Sequence, residues 1–138
     1  MSDNYADKLN QLAKGTMAEL IGVELTHADP QRIAGAIEMR TNLTQPYGFM
    51  HGGALMALMD TLAGMGSTLN VPAGFGFTTI EFKINFLRSI RTGRVAAEAK
   101  AVHIGSRTHV WHVTAHDDRG RQMALATLTQ LVIELRAE

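Results

Sequence analysis

No cysteine occurs in the 138 residues. Disulfides, a thiolate nucleophile and cysteine-ligated zinc are therefore excluded, and the composition fits a cytosolic protein. Neither sign of charge is in excess: 13 Lys and Arg balance 13 Asp and Glu. No global field draws such a chain to nucleic acid or to an anionic membrane. The longest apolar run, from about Ala54 to Leu69, is broken by Asp60 and is too short to cross a bilayer comfortably. No proline-rich linker, internal repeat or low-complexity tract divides the chain. The first residues, Met1 to Asp7, are polar and acidic, unlike a signal peptide. The expectations are one domain over residues 1–138, a cytoplasmic location, and no nucleic-acid or membrane partner.

What is present is a strong alternation of periods. Tyr5 to Lys14 reads as a short amphipathic helix within an N-terminal helical extension of residues 1–16. Met17 to His27 drifts into strand character, with Ile21, Val23 and Leu25 alternating with polar or small residues. The turn signal Ala28-Asp29-Pro30-Gln31 joins it to a second alternating run, Ile33 to Met39, which makes a hairpin. After a loop from Arg40 to Met50, a helix is expected from Gly53 to about Leu69. Its apolar residues lie nearly all around it, so it is buried on most sides. Three strand-like runs follow. Phe77 to Leu87 presents Thr78, Ile80, Phe82, Ile84 and Phe86 on one face. Gly93 to His103 leads through a Gly105-Ser106 turn to Thr108 to His116. Asp117-Asp118-Arg119-Gly120 then turns into a last strand from Gln122 to about Leu135. The order predicts an α+β fold, one helix lying lengthwise on one curved antiparallel sheet.

The chemistry concentrates in Gln45-Pro46-Tyr47-Gly48-Phe49-Met50-His51-Gly52-Gly53 and the acid that follows it, Asp60. Free backbone N–H groups at the mouth of an apolar helix, aided by the helix dipole, polarise a carbonyl oxygen. A carboxylate inside the helix can attack that carbonyl or deprotonate a water that does. Asp60 is the candidate nucleophile or base, and Gly52 the candidate oxyanion donor. His51 can bond the carbonyl or cap the helix. Arg88, Arg91, Arg94 and Arg107 form the basic concentration. The histidines at 103, 109, 112 and 116 do not share a face at ligand spacing and lack a carboxylate or cysteine to complete a metal set. No metal is expected. Trp111 reads as a packing or interface residue.

The run from Gln45 through His51-Gly52-Gly53 to Asp60 resembles the active-site signature of hotdog-fold acyl-CoA thioesterases. The likeness is closest to the branch of phenylacetate-pathway, 4-hydroxybenzoyl-CoA and 1,4-dihydroxy-2-naphthoyl-CoA thioesterases. Val102 to Trp111, Arg91 to Val95 and Asp118 to Arg121 carry it further along the chain. The resemblance implies a curved sheet wrapped around a central helix, and a homodimer or a homotetramer built as a dimer of dimers. It implies an acyl-CoA substrate, coenzyme A being part of the substrate and no separate cofactor being needed. It makes Asp60, Gly52, Gln45 and His51 catalytic. It assigns Gly53, Thr79, Arg91, Gly105, Ser106 and Arg107 to substrate. Two departures stand out. Several aryl-CoA members carry glutamate where this chain has Asp60, and relatives often carry Ser or Thr one turn later, where this chain has Gly64. Thr79 is the candidate to supply the missing hydroxyl. Met50, Met56, Met59, Phe75 and Phe77 suggest an apolar pocket. Two other readings stay open at this point, a hotdog hydratase or dehydratase and a non-catalytic acyl-ligand binding protein.

Overall fold

The computed structural model describes residues 4–136. Two short helices come first, α1 (Ala6–Leu12) and α2 (Met17–Ile21). α2 lies where the apolar alternation suggests a strand. Ala18 and Ile21, three apart, bury one side of a single helical turn instead. Gly22 then adopts a left-handed conformation at φ 83°, and the N–H groups of Gly22 and Val23 close back on the carbonyls of Glu19 and Ala18. Strand β1 (Glu24–Asp29) therefore starts late, and pairs with β2 (Arg32–Glu38) in the expected hairpin. A single 3-10 turn at Thr41–Leu43 interrupts the following loop. The long helix α3 (Gly52–Asn70) and the strands β3 (Phe75–Phe86), β4 (Arg94–Ile104), β5 (Thr108–His116) and β6 (Gln122–Glu134) complete the order.

All six strands join one antiparallel sheet in the order β1-β2-β4-β5-β6-β3, and α3 touches every strand. This is the hotdog architecture. Leu58, Met59, Leu62 and Ala63 of α3 are fully buried against Val95 and Ala99 of β4, Trp111 and Val113 of β5, and Ala126 and Leu128 of β6. Each such large side chain contributes roughly 1.5–3 kcal/mol by leaving water. Two mid-helix glycines bring the layers close. A Cβ at Gly66 would lie 2.3 Å from the Trp111 ring, and one at Gly64 would lie 2.8 Å from the Phe77 ring. Glycine costs a helix interior about 1 kcal/mol, and here it lets two aromatic rings approach the α3 backbone closely. Trp111 is thus a core residue, not an interface residue.

β3 departs from strict alternation. Its pairing with β6 shifts between Thr79 and Glu81, a bulge at Ile80. The bulge resets the phase, so that Phe77 and Thr79 before it and Phe82 and Ile84 after it are all partly buried, while Thr78 and Ile80 are exposed. The expectation that Thr78 and Ile80 share a face with Phe82 is corrected by that one extra residue.

Candidate active site

The loop before α3 is tightly organised. Oε1 of Gln45 accepts from the N–H of Tyr47 at 2.5 Å and of Phe49 at 3.3 Å, and the backbone of Gln45 exchanges bonds with Phe49 and Gly48. Arg91 braces the same loop from outside, donating to the Tyr47 carbonyl at 2.8 Å with its guanidinium 4.0 Å from the centre of the Phe49 ring. His51 is the N-cap of α3: its Nδ1 accepts from the Gly53 N–H at 2.7 Å. The N–H of Gly53 is therefore occupied. That of Gly52 has no acceptor among the described residues, which leaves it as an available donor at the positive end of the helix. Gly52 and Gln45 line one cleft of about 450 Å³ with Phe49, Met50, Leu55, Phe86, Leu87, Arg88, Ser89 and Met123.

Asp60 lies half-buried in a different cleft, of about 440 Å³, with Met17, Gly53, Met56, Ala57, Thr61, Thr79 and Phe82. A smaller one beside it adds Gly64, Met65 and Phe77. The walls are apolar, and the Thr79 hydroxyl reaches Asp60 Oδ1 at 2.8 Å. Thr61, adjacent to the acid, lines both clefts. Met56 and Phe77 of the expected apolar pocket are found here. Met59 is instead sealed in the core, Met50 lines the Gly52 cleft, and Phe75 is exposed at the start of β3.

Two pairs of expected partners are not brought together within one chain. Gly52 and Asp60 are eight residues apart on α3, about 12 Å along its axis, whereas a carboxylate must come within about 3–3.5 Å of the carbonyl it attacks. Arg91 precedes β4, and Gly105, Ser106 and Arg107 follow it. The 11 residues of β4 separate them by roughly 30 Å at the usual strand rise. Arg91 belongs instead to a polar cleft at the Gly52 end, with Arg119, Arg121, Asp117 and Asp118. There Arg121 is paired to Asp117 at 2.8 Å. Burial opposes a charge on Asp117, but the Arg121 and Arg119 backbone N–H groups and the Arg121 guanidinium outweigh it and hold the carboxyl below its ordinary range.

No cluster of His, Asp and Glu fit to hold a metal occurs among the described residues. His109 and Trp111 point inward and His112 outward, as the alternation of β5 requires. Three buried polar residues were not foreseen: Ser67, His109 and Gln130 meet in the core beside Thr79. Each is in phase with an apolar face, seven residues after Asp60 on α3, two before Trp111 on β5 and two after Leu128 on β6. That is the one signal the sequence carries for them.

Comparison with known proteins agrees with this architecture. The family described as Thioesterase superfamily matches residues 47–124. A crystal structure of a Pseudomonas aeruginosa thioesterase superposes with a TM-score of 0.89 at 32% identity, over 94% of both chains. The 1,4-dihydroxy-2-naphthoyl-CoA hydrolase of Escherichia coli is 27% identical over 92% of this chain and 93% of its own. A proofreading thioesterase of Cronobacter turicensis is 28% identical over the same shares. With a long helix wrapped by one antiparallel sheet, a free N–H at the head of that helix and a carboxylate in an apolar cleft, the chain belongs to the thioesterase superfamily and is a thioester hydrolase.

Proposed function

We propose that the chain hydrolyses acyl-coenzyme A thioesters with an aromatic or medium-size apolar acyl group, in an active site shared by two copies. The observation that carries this reading is Asp60: one carboxylate oxygen is held by Thr79, in a cleft lined otherwise by Met17, Met56, Ala57 and Phe82, with Gly53 and the uncharged Thr61. An acyl group without charge fits those walls. Similarity to a hydrolase of an aromatic acyl-CoA favours an aromatic one.

In this mechanism the thioester oxygen accepts from the Gly52 N–H, with the Gln45 amide beside it in the same cleft. Asp60 either takes a proton from the attacking water or attacks the carbonyl carbon itself. With Asp60 as base, water adds to the carbonyl carbon, the tetrahedral centre expels the coenzyme A thiolate, and the proton held on Asp60 passes to that thiolate. With Asp60 as nucleophile, loss of the thiolate leaves an acyl–Asp60 anhydride, which water then cleaves to the free acid and the Asp60 carboxylate. The 12 Å between Gly52 and Asp60 is resolved if the donor is Gly52 of the partner subunit, on an antiparallel neighbouring helix. The same two-fold arrangement brings Arg107 of one copy to the end where the partner subunit's Arg91 lies, so that both can face one nucleotide. A homodimer is then the minimum unit, and resemblance favours two dimers in a tetramer. Catalysis uses no cofactor beyond the coenzyme A of the substrate, and the setting is cytoplasmic.

The test is thiol release on a panel of benzoyl-, phenylacetyl-, dihydroxynaphthoyl- and medium-chain acyl-CoA. Asp60→Asn should lower turnover by orders of magnitude with little effect on binding, and Asp60→Glu should retain part of it. An Asp60→Asn enzyme with most of its turnover intact would sink the mechanism.

A further inference from the structure

The Thr79 hydroxyl is engaged on both sides. It donates to Asp60 Oδ1 at 2.8 Å and accepts from Gln130 Nε2 at 3.2 Å. Gln130 has no exposed surface, and its Oε1 accepts from the Ser67 hydroxyl. Ser67, equally buried, receives the Trp111 Nε1–H at 3.0 Å and lies 2.8 Å from Nδ1 of His109. A continuous chain of side chains from α3, β3, β5 and β6 thus runs from the core to the carboxylate. Every buried side-chain nitrogen and oxygen among the described residues has a partner, so the chain is complete.

Its direction follows from its end. An ionised carboxylate only accepts, so Thr79 must donate to it. A hydroxyl has one hydrogen, so Thr79 must accept from Gln130. The amide is then turned with nitrogen toward Thr79 and oxygen toward Ser67. The single Ser67 hydrogen goes to Gln130, and Ser67 can only accept from the two rings beside it. Burial pushes His109 below the ordinary histidine range, outweighing the Gly105 carbonyl that opposes it, with His103 adding to the depression. The ring is therefore neutral at pH 7 and has one N–H. With the Ser67 hydrogen given to Gln130, the tautomer that extends the chain to His109 carries its hydrogen on Nδ1, toward Ser67. The competing tautomer places it on Nε2, away from Ser67.

We propose that Gln130 and Ser67 are positioning residues for Asp60: through Thr79 they hold its carboxylate in one rotamer as an oriented acceptor, leaving Oδ2 to face the cleft. This rests on Asp60 being the reacting group. Oδ2 has no protein partner among the described residues, so it is the oxygen available for the reaction. Thr79 brings to the acid from β3 a hydroxyl that Gly64 does not offer from α3. It also suits an acid one methylene shorter than glutamate, because the anchor comes from β3 rather than from α3.

The first test needs no substitution. Long-range proton–nitrogen spectra of protein labelled at histidine should give His109 as the Nδ1–H tautomer at pH 7. Thr79→Val and Gln130→Met should each let the hydrogen move to Nε2. Both should lower kcat about tenfold, the rate equivalent of one lost hydrogen bond, with KM changed less than about twofold. Thr79→Ser should restore kcat. An Nε2–H tautomer in the wild-type protein, or unchanged kcat in Thr79→Val and Gln130→Met, overturns the proposal. If Asp60→Asn is inactive while these two variants are fully active, only the positioning role fails. If Asp60→Asn is itself active, the functional reading fails first and takes this role with it.

Discussion

Strand β1 and strand β3 are the two edges of the sheet, and their outward backbone groups meet different fates. On β1, both the N–H and the carbonyl of Leu25 are bonded by the Asn10 side chain, at 2.9 and 3.1 Å. The N–H of Ala28 reaches Asn4, and its carbonyl receives the Tyr5 N–H at 2.7 Å. The N-terminal segment thus closes a six-residue edge. β3 is 12 residues long and has β6 as its one neighbour in the sheet. Exposed Ile80, Phe86 and Leu87 lie along and just beyond it. An edge of that length and character is a template for another strand, whereas the β1 edge has been used up within the chain. In the proposed dimer, the contrast favours β3 as the edge on which a second copy docks. The open edge is also the one that carries Thr79, the anchor of Asp60.

Adding charge at Ile80 breaks this contrast most severely. Ile80 points outward from the bulge, so Ile80→Lys removes little packing within one chain while placing a charge on the pairing edge. The expected result is a folded monomer by sedimentation whose turnover falls about 100-fold or more, since the oxyanion donor and the acid no longer meet. A fully active monomer would refute the shared site.

Complementation sharpens the same point with a smaller signal. Gly52→Pro removes the one N–H proposed as oxyanion donor, at the helix position that tolerates proline. It and Asp60→Asn should each be inactive alone. Refolded together in equal amounts, they should recover about a quarter of the wild-type activity, because half of the dimers are mixed and each mixed dimer has one intact site of two. Absence of any recovery would mean that Gly52 and Asp60 act within one chain.

Much of this was readable beforehand, and the failures have physical causes. The helix around Asp60 and the strands β4 to β6 are long enough for their periods to be unambiguous. α2 is masked in the sequence because Ala18 and Ile21, which bury a helical turn, sit in a stretch whose Ile21, Val23 and Leu25 also alternate. The bulge at Ile80 leaves no mark in composition, yet it decides that Thr79 faces Asp60. Spacing and resemblance single out Gly52, Gln45 and Asp60 as candidates, but spacing along a chain does not give the distance across a helix or the length of β4 between Arg91 and Arg107. Ser67, His109 and Gln130 each look ordinary within their own element. Their meeting depends on three elements crossing at one serine.

The smallest effects belong to the closed edge. Asn10→Ala strands the N–H and carbonyl of Leu25 and should cost about 1–2 kcal/mol of stability, read as a lower Tm, with dimerisation and turnover unchanged. The neighbouring turn has an acid dependence of its own. Burial works against a charge on Asp29, but His27 at 2.6 Å and the N–H groups of Gln31 and Arg32 outweigh it and hold the carboxyl below its ordinary range. A carboxylate whose pKa is lowered by folding stabilises above its unfolded value and loses that contribution as pH falls through the folded one. Asp29→Asn should therefore lower Tm at pH 7 by a few degrees at most, and the gap should close below about pH 4. A gap that persists unchanged into acid would mean that the turn is held by shape and not by the charge. Loss of the dimer in either variant would mean that the β1 edge, too, takes part in assembly.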